Sequence, residues 1–269
     1  MSAGNSFNLS SEAAKGYETQ KVPAIFAPIA KATLEQTELP ENAAVIDIAC
    51  GTGIVSRLLV EYLSGKGRIV GTDLNPAMLE IAKELMPETH HGVEWFECDV
   101  SNLPFEDATF DAAFCQQGLQ FFPEKPEALA EIHRVIAPGG RLMLTCWRSV
   151  SPVFQVVSNS LKNRVSETAA IQAVRPYAFR DGEIIAALLT GAGFSNVEVS
   201  KIVVDRHFSP SRAAIRAEIL SSPYEGELRA KGDKVIDAVV EDVDAELERY
   251  RVGDGLIVPQ DTHLFKATA

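Results

Sequence analysis

Residues 45–53 read Val45-Ile46-Asp47-Ile48-Ala49-Cys50-Gly51-Thr52-Gly53. The run is too short for a helix, rich in β-branched residues and uncharged apart from Asp47, and it ends in a glycine-punctuated turn. An amphipathic stretch follows over residues 54–63. This pattern predicts a buried parallel strand that feeds a helix through a tight loop. Gly51 and Gly53 permit positive φ and let a ligand touch bare backbone. The helix aims its unpaired N–H groups, and the positive end of its dipole, at the same place. An anionic group of a small molecule is the natural occupant.

Outward from this stretch, strand-like runs alternate with helical ones. Strands are predicted over residues 68–73, 93–98, 110–115 and 141–147, and helices over 76–85 and 125–136. Asn75 stands as N-cap with Pro76 at the first helical position. Pro138-Gly139-Gly140 is a stop signal after the later helix. Alternation of this kind implies an α/β fold, a doubly wound and mostly parallel sheet with right-handed crossovers. Residues 149–179 and 209–250 are helical insertions that break the rhythm. Between them lie a helix over 181–192 and a sixth strand over 197–204, and residues 256–265 suit a final strand. Residues 1–40 are expected to be an N-terminal helical lid and 41–269 the main domain. The N-terminal helix, over about 11–37, and both insertions are expected to cover the strands' carboxyl ends, where open α/β sheets bind ligands.

Composition narrows the function. A formal net charge of −12 argues against a nucleic-acid partner, which needs clustered Lys and Arg. The acidic run Glu241-Asp242-Val243-Asp244-Ala245-Glu246 reads as a solvated helix face. No run of eighteen apolar residues is present, so no membrane span is expected. The first twenty residues are polar, unlike a signal peptide. Four cysteines without close pairing fit a reducing compartment, so the expected location is cytoplasmic. Nothing in the sequence specifies an oligomeric state.

Three aspartates, Asp47, Asp73 and Asp99, recur at or beside the ends of successive apolar runs and should line one edge of the sheet. Burying a carboxylate is costly unless it is paired, so three equivalent acids suggest a shared task. Asp73 follows Gly53 by twenty residues, where an acid grips a ribose diol; a turn or capping aspartate is the plainer alternative. A nicotinamide-binding domain shares this outline. However, the third glycine of G-x-G-x-x-G is absent, since Ser56 stands there. Asp47 before the loop would repel a pyrophosphate and suits a positive amino group. Asp99 adds an acceptor for an adenine amino group. The set favours an aminoacyl nucleoside over a dinucleotide.

These segments resemble the class I S-adenosylmethionine-dependent methyltransferases, in the group acting on small molecules. The resemblance rests on residues 45–53, Gly71-Thr72-Asp73-Leu74-Asn75, Cys98-Asp99-Val100, Phe110-Asp111-Ala112-Ala113-Phe114 and Arg134-Val135-Ile136-Ala137-Pro138-Gly139-Gly140, in order over residues 41–147. It implies a seven-stranded Rossmann-like sheet whose last strand is antiparallel, S-adenosyl-L-methionine as cofactor, and a small-molecule methyl acceptor. By the same resemblance Asp47, Ala49, Gly51 and Gly53 lie against the methionine part, and Asp73 holds the ribose hydroxyls. Leu74 and Met78 flank the adenine, Asp99 takes its amino group, and Val100 packs nearby. Gln116 offers its backbone carbonyl to the ammonium, and Tyr17 closes over the carboxylate. An oxygen acceptor is preferred from family frequency alone. A cofactor-binding protein of the same fold that transfers no methyl group (a regulator or a cyclisation catalyst) is the alternative, and a nicotinamide-dependent dehydrogenase a third.

Residues for the acceptor side are less defined. His207, at the end of the sixth strand, and Gln117, after the fourth, are the catalytic candidates. Gln120, Phe121 and Trp147 stand near the same mouth. His133 reads as scaffold, and His263 could face either way. His90 and His91 are neighbours that diverge on regular elements and make a poor metal pair; no zinc-ligand spacing occurs, so no metal is expected. Cys50, Cys98, Cys115 and Cys146 read as small buried filling. Arg148, Arg175 and Arg206 suit an acidic substrate or, equally, surface salt bridges.

Overall fold

The computed structural model describes residues 10–86 and 93–269. Its helical opening has three parts: α1 (Ser11–Gly16), a π-helical stretch (Tyr17–Phe26) and α2 (Ala27–Leu34). Ser10 caps α1, accepting from the Ala13 N–H at 3.3 Å. The wide π geometry coincides with Pro23, which has no N–H to give and crowds the preceding turn. Next come β1 (Ala44–Ile48), α3 (Ile54–Tyr62), β2 (Arg68–Asp73), α4 (Pro76–Leu85), β3 (Val93–Glu97) and β4 (Phe110–Gln116). They are followed by α5 (Lys125–Val135), β5 (Ile136–Trp147), α6 (Pro152–Arg164), α7 (Glu167–Val174), α8 (Gly182–Gly191) and β6 (Ser195–Phe208). The chain closes with α9 (Ser211–Ile219), α10 (Glu225–Ala230), α11 (Asp233–Glu246), β7 (Arg251–Val252) and β8 (Gly255–Thr268). Asn75 caps α4 as its sequence predicts, accepting from the Ala77 N–H at 3.0 Å.

The strands lie in the order β3-β2-β1-β4-β5-β8-β6, with β7 paired to β8. Pairs β1–β2, β1–β4, β2–β3 and β4–β5 are parallel. β8 runs against β5: the Gly139 N–H donates to the Ala269 carbonyl at one end, and the Thr262 hydroxyl to the Cys146 carbonyl at the other. The sheet is therefore mixed, with its last strand antiparallel. Chain order reverses at β1, whose neighbours are β2 and β4, so the loop leaving β1 sits at the switch point. One boundary differs from expectation. Pro138-Gly139-Gly140 stops α5 but belongs to β5, where the register shifts between the Phe110 and Ala112 pairings. A bulge absorbs the residues that a helix refuses.

The chain forms two compact units. The first comprises residues 1–146, 180–202 and 262–269. Val45, Ile46 and Ile48 on β1 and Ala112, Ala113 and Phe114 on β4 are buried, as befits strands covered on both faces. Burial of the three β1 aliphatics contributes roughly 1.5–3 kcal/mol each, which offsets the several kcal/mol that ionised Asp47 loses between them. The Trp95 indole fills the space over Gly53 and Gly71. A Cβ on Gly71 would stand 2.4 Å from its ring and one on Gly53 2.7 Å, so side-chain-free backbone is a packing requirement at both.

The second unit comprises residues 147–179 and 203–261, both insertions with the adjoining parts of β6 and β8. Val153, Val157 and Leu161 of α6, Ile215 and Ile219 of α9, and Val239 and Val243 of α11 share its core. The acidic run is the solvated face expected of it at Glu241 and Glu246, and departs from that at Asp242 and Asp244. Asp244 is buried, accepting from Ser211, Arg251 and Arg212, and Asp242 accepts from Arg164 and Ser160. Those partners hold both carboxyls below the usual carboxylate range. No helix among the described residues is long and apolar enough to cross a membrane.

Candidate active site

The loop leaving β1 takes left-handed conformations at Ala49 (φ 53°), Gly51 (φ 56°) and Gly53 (φ 80°). Ala49 holds a conformation that glycine adopts without strain. The loop is stitched to β2: the Cys50 N–H donates to the Thr72 carbonyl at 2.9 Å and the Gly51 N–H to Asp73 Oδ2 at 2.8 Å. The two glycines do different work. A Cβ on Gly51 would meet no atom within 4 Å, so its backbone is open to a ligand, whereas Gly53 makes room for Trp95. At Gly53 the absence of a side chain thus serves packing as well.

Asp47 is 1% exposed. Its Oδ2 accepts from the Ser56 N–H at 3.0 Å and the Ser56 hydroxyl at 2.7 Å. Burial pushes its carboxyl up to about 7; the Ser56 bonds oppose the rise and the nearby Asp73 charge adds to it. Ser56 occupies the place of the missing third glycine, and its side chain is spent on Asp47, against a dinucleotide's close approach there. Asp73 Oδ1 accepts from the Asn75 N–H at 2.8 Å, and burial raises its carboxyl despite its backbone bonds. With the Leu74 N–H also bonded to it, the Asp73 carboxylate accepts three backbone bonds, which leaves room among its roughly four lone-pair sites for a ligand hydroxyl.

Above these acids a cavity is lined by Tyr17, Phe26, Ala49, Gly51, Thr52 and Gln116, among others. The Tyr17 ring stacks on Phe26 with centroids 5.1 Å apart, and burial raises its hydroxyl pKa. Gln116 Nε2 donates to the Phe26 carbonyl at 3.1 Å, which ties the N-terminal segment to the end of β4. Its Oε1 and the Thr52 hydroxyl are buried with no hydrogen-bond partner among the described residues. Buried polar atoms without partners mark places a ligand can fill. The Gln116 side chain thus enters the cavity, where sequence reasoning had used only its backbone. At the rim Arg57 pairs with Glu18 at 2.8 Å and donates to the Thr52 carbonyl at 2.6 Å. Glu18, Arg57, Phe26, Ser56 and Trp95 were not expected here. Only their neighbourhood in the fold reveals them.

Leu74 is 55% exposed directly after Asp73, an apolar side chain left uncovered at the sheet edge. Asp99 is exposed; its Oδ1 accepts from the Ser101 N–H and hydroxyl at 2.9 and 2.8 Å. Val100 beside it is partly buried. Met78 is 2% exposed and packs with Ala14 of α1 and Ile81 of α4, Tyr17 at the margin. An acidic floor, open backbone at Gly51, unfilled acceptors at Gln116 and Thr52 and an uncovered Leu74 fit a cofactor with a cationic amino-acid end and a flat apolar base.

The catalytic candidates fare differently. Gln117 is buried with φ 56°, and its amide is consumed: Nε2 donates to Thr262 Oγ1 at 2.6 Å, and Oε1 accepts from Gln120 Nε2 at 3.2 Å. Its side chain braces the loop after β4. His207 is on the exposed face of β6 and is not among the residues that line the cavity. His133 packs edge-on against Phe194 at 4.9 Å, a scaffold contact. His263 stands 5.5 Å from Phe265 and against Gly182. His90 and His91 lie outside the described residues. The cysteines are free thiols; burial pushes Cys98 up to about 11, Cys115 to about 12 and Cys50 well above its usual value. Among the described residues no group of three or more ligand side chains could hold a metal ion. Trp147 packs at a tilt against Tyr177, with ring centroids 5.4 Å apart, in the second unit. Arg148 forms a surface pair with Asp261 at 3.6 Å, Arg175 is exposed and Arg206 is buried.

A family model described as a methyltransferase domain matches residues 46–144. The 2-phytyl-1,4-naphtoquinone methyltransferase of Thermosynechococcus vestitus is 38% identical over 104 residues, 39% of this chain and 46% of that protein. Its namesake in Synechococcus elongatus is 30% identical over 167 residues, 57% of this chain and 72% of that protein. The ubiquinone/menaquinone biosynthesis C-methyltransferase UbiE of Hahella chejuensis is 32% identical over 114 residues, 42% of this chain and 46% of that protein. The chain thus spans about half the length of the first and third of these relatives. Among solved structures, a phosphoethanolamine N-methyltransferase 2 of Haemonchus contortus with S-adenosyl-L-methionine superposes with a TM-score of 0.62 at 19% identity, covering 96% of this chain and 57% of that one. That likeness is one of fold.

Proposed function

Because the chain belongs to the class I S-adenosylmethionine-dependent methyltransferases, we propose that it methylates a ring carbon of a small quinol-type aromatic molecule. S-adenosylmethionine is its cofactor and supplies, when bound, an electrophilic methyl group on a sulfonium. The observation that carries the acceptor is the naming of the relatives, two for a naphthoquinone and one as a C-methyltransferase. Carbon therefore replaces the oxygen acceptor preferred from the sequence. A ring carbon made electron-rich by a hydroxyl needs alignment, and no base for the bond-forming event.

In this reading Asp47 holds the cofactor ammonium, and Asp73 accepts from a ribose hydroxyl at its remaining lone-pair site. Asp99 takes the adenine amino group while Leu74 and Val100 pack on the base; Met78 supports α1 from beneath. The free Gln116 Oε1 and Thr52 hydroxyl complete the methionine end. Tyr17 closes the cavity and keeps water from it, and the N-terminal segment acts as a lid. The test is transfer from methyl-labelled cofactor to reduced naphthoquinols and benzoquinols, with the labelled position read by nuclear magnetic resonance. Label on a ring carbon is expected. Label as a methyl ether, or tight cofactor binding with no transfer to any quinol, would refute the carbon assignment.

A further inference from the structure

The second unit contains a buried cation that its neighbours leave partly unsatisfied. Arg206, on β6, is 2% exposed. Its Nη2 donates to Glu218 Oε2 on α9 at 3.0 Å, while Nε and Nη1 have no hydrogen-bond partner among the described residues. The rings of Phe208 and Phe154 stand 4.9 and 5.7 Å from the guanidinium carbon. Tyr177 lies 5.8 Å from Phe154, ring to ring, and its hydroxyl accepts from Gln260 Nε2 at 3.3 Å. Gln260 Oε1 is buried and also lacks a partner among the described residues.

A guanidinium carries five N–H donors in a rigid plane, and burying its charge is unfavourable while those donors stay open. Arginines that staple this unit behave otherwise. Arg164 spends Nε and Nη2 on Asp242, and Arg251 spends all three nitrogens on Glu248, Ser211 and Asp244. Arg206 has the aromatic faces and one carboxylate oxygen, yet its remaining edge is bare. Strand alternation turns it inward and turns His207 outward. Of the side chains around it Phe154 is only partly buried, while Tyr177, Phe208 and Gln260 are buried, so the Phe154 side is where the box can open.

We propose that Arg206 is the receptor for an anionic oxygen on a planar ring. The ring takes the place of Phe154 over the guanidinium, the oxygen meets Nε and Nη1, and Gln260 Oε1 accepts from a neighbouring hydroxyl. A flat ring stacks on a guanidinium as Phe154 does, and an oxyanion suits its fork. The inference concerns the second unit alone and stands apart from the function proposed above. A carboxylate and an ionised ring hydroxyl share this chemistry, and the test separates them.

Calorimetry on the full chain with S-adenosylhomocysteine present would compare 2-naphthoate with naphthalene-2-carboxamide, and 2-hydroxy-1,4-naphthoquinone, ionised at neutral pH, with its methyl ether. At least one anion should bind ~10-fold or more tightly than its neutral partner, a tenfold ratio being one good charge-assisted bond. Preference in the first pair identifies a carboxylate and in the second an ionised hydroxyl. Arg206→Gln should abolish the preference and leave S-adenosylhomocysteine affinity unchanged. Equal affinities within both pairs overturn the proposal, as does a preference that survives Arg206→Gln. If that variant does not fold, Glu218→Gln decides: freeing the guanidinium from its carboxylate should raise the preference several-fold, and an unchanged preference refutes the site. Failure of methyl transfer to quinols would sink the carbon assignment while leaving this charge preference standing.

Discussion

Replacing Asp47 with Asn separates the carboxylate's burden on the fold from its service to the cofactor. Burial raises its carboxyl from 3.8 to about 7, a difference on the order of 4 kcal/mol at full ionisation. The folded state binds the proton more tightly, so between those two values it holds more protons than the unfolded chain. Stability from this group is therefore fully present below the lower value and is lost as pH rises through the upper one. Asn carries no charge, and its oxygen can still accept both Ser56 bonds. The Asp47→Asn variant should then gain ground on the parent by roughly 2–3 kcal/mol between pH 5 and pH 8. Groups such as Asp242 and Asp244, whose pKa values are lowered, contribute equally to both proteins and cancel in the comparison. Urea denaturation at the two pH values measures the difference. Binding should move the opposite way: S-adenosylhomocysteine affinity should fall by roughly 1.5–3 kcal/mol, the range for a hydrogen bond to a charged group. In the parent, binding near neutral pH should release a proton, visible as a buffer-dependent calorimetric enthalpy. A stability difference independent of pH, or unchanged affinity, would refute the account of Asp47.

Asp73→Ala should weaken S-adenosylhomocysteine binding by about 1.5–3 kcal/mol in calorimetry, with Asp73→Asn milder; equal affinity would remove the ribose assignment. Gly71→Ala should lower stability by roughly 1–3 kcal/mol in thermal melts, because the new Cβ meets a ring that cannot yield; a neutral result would mean Trp95 moves aside. Ala49→Gly should stabilise the protein by about 0.5–1 kcal/mol, the left-handed strain less glycine's added chain entropy, and a loss of stability would show the methyl's packing against Gly118 to matter more. Hydrogen exchange with S-adenosylhomocysteine should show protection gained across residues 11–26, since Tyr17 and Phe26 line the cavity; no change there would detach this segment from the site.

Much of the first unit was legible in the residues. Every strand predicted from an apolar run is a strand, and the loop after Ile48 and the cap at Asn75 form where glycine and N-cap chemistry put them. These are local signals: β-branched runs, turn glycines and caps act on their own backbone. Asp47 and Asp73 followed from the same locality, because a strand's end fixes which sheet edge an acid occupies. The acidic run on α11 misled at Asp242 and Asp244 for the complementary reason. Its helix was local information, but the arginines that bury Asp244 come from α9 and from β7.

What the sequence by itself determined is the order of strands and helices, the glycine loop and the acids along one sheet edge. Tertiary structure alone decided how side chains are spent. It set Trp95 over Gly53 and Gly71, drew the Gln117 amide to Thr262 and buried Met78 beneath α1. It also joined two insertions, separated along the chain by α8 and most of β6, into one core around a half-satisfied Arg206. One residue along β6 separates that buried cation from the exposed His207, and the sequence marks both merely as polar. Which of two alternating faces turns inward depends on what packs against the strand, and those partners lie tens of residues away.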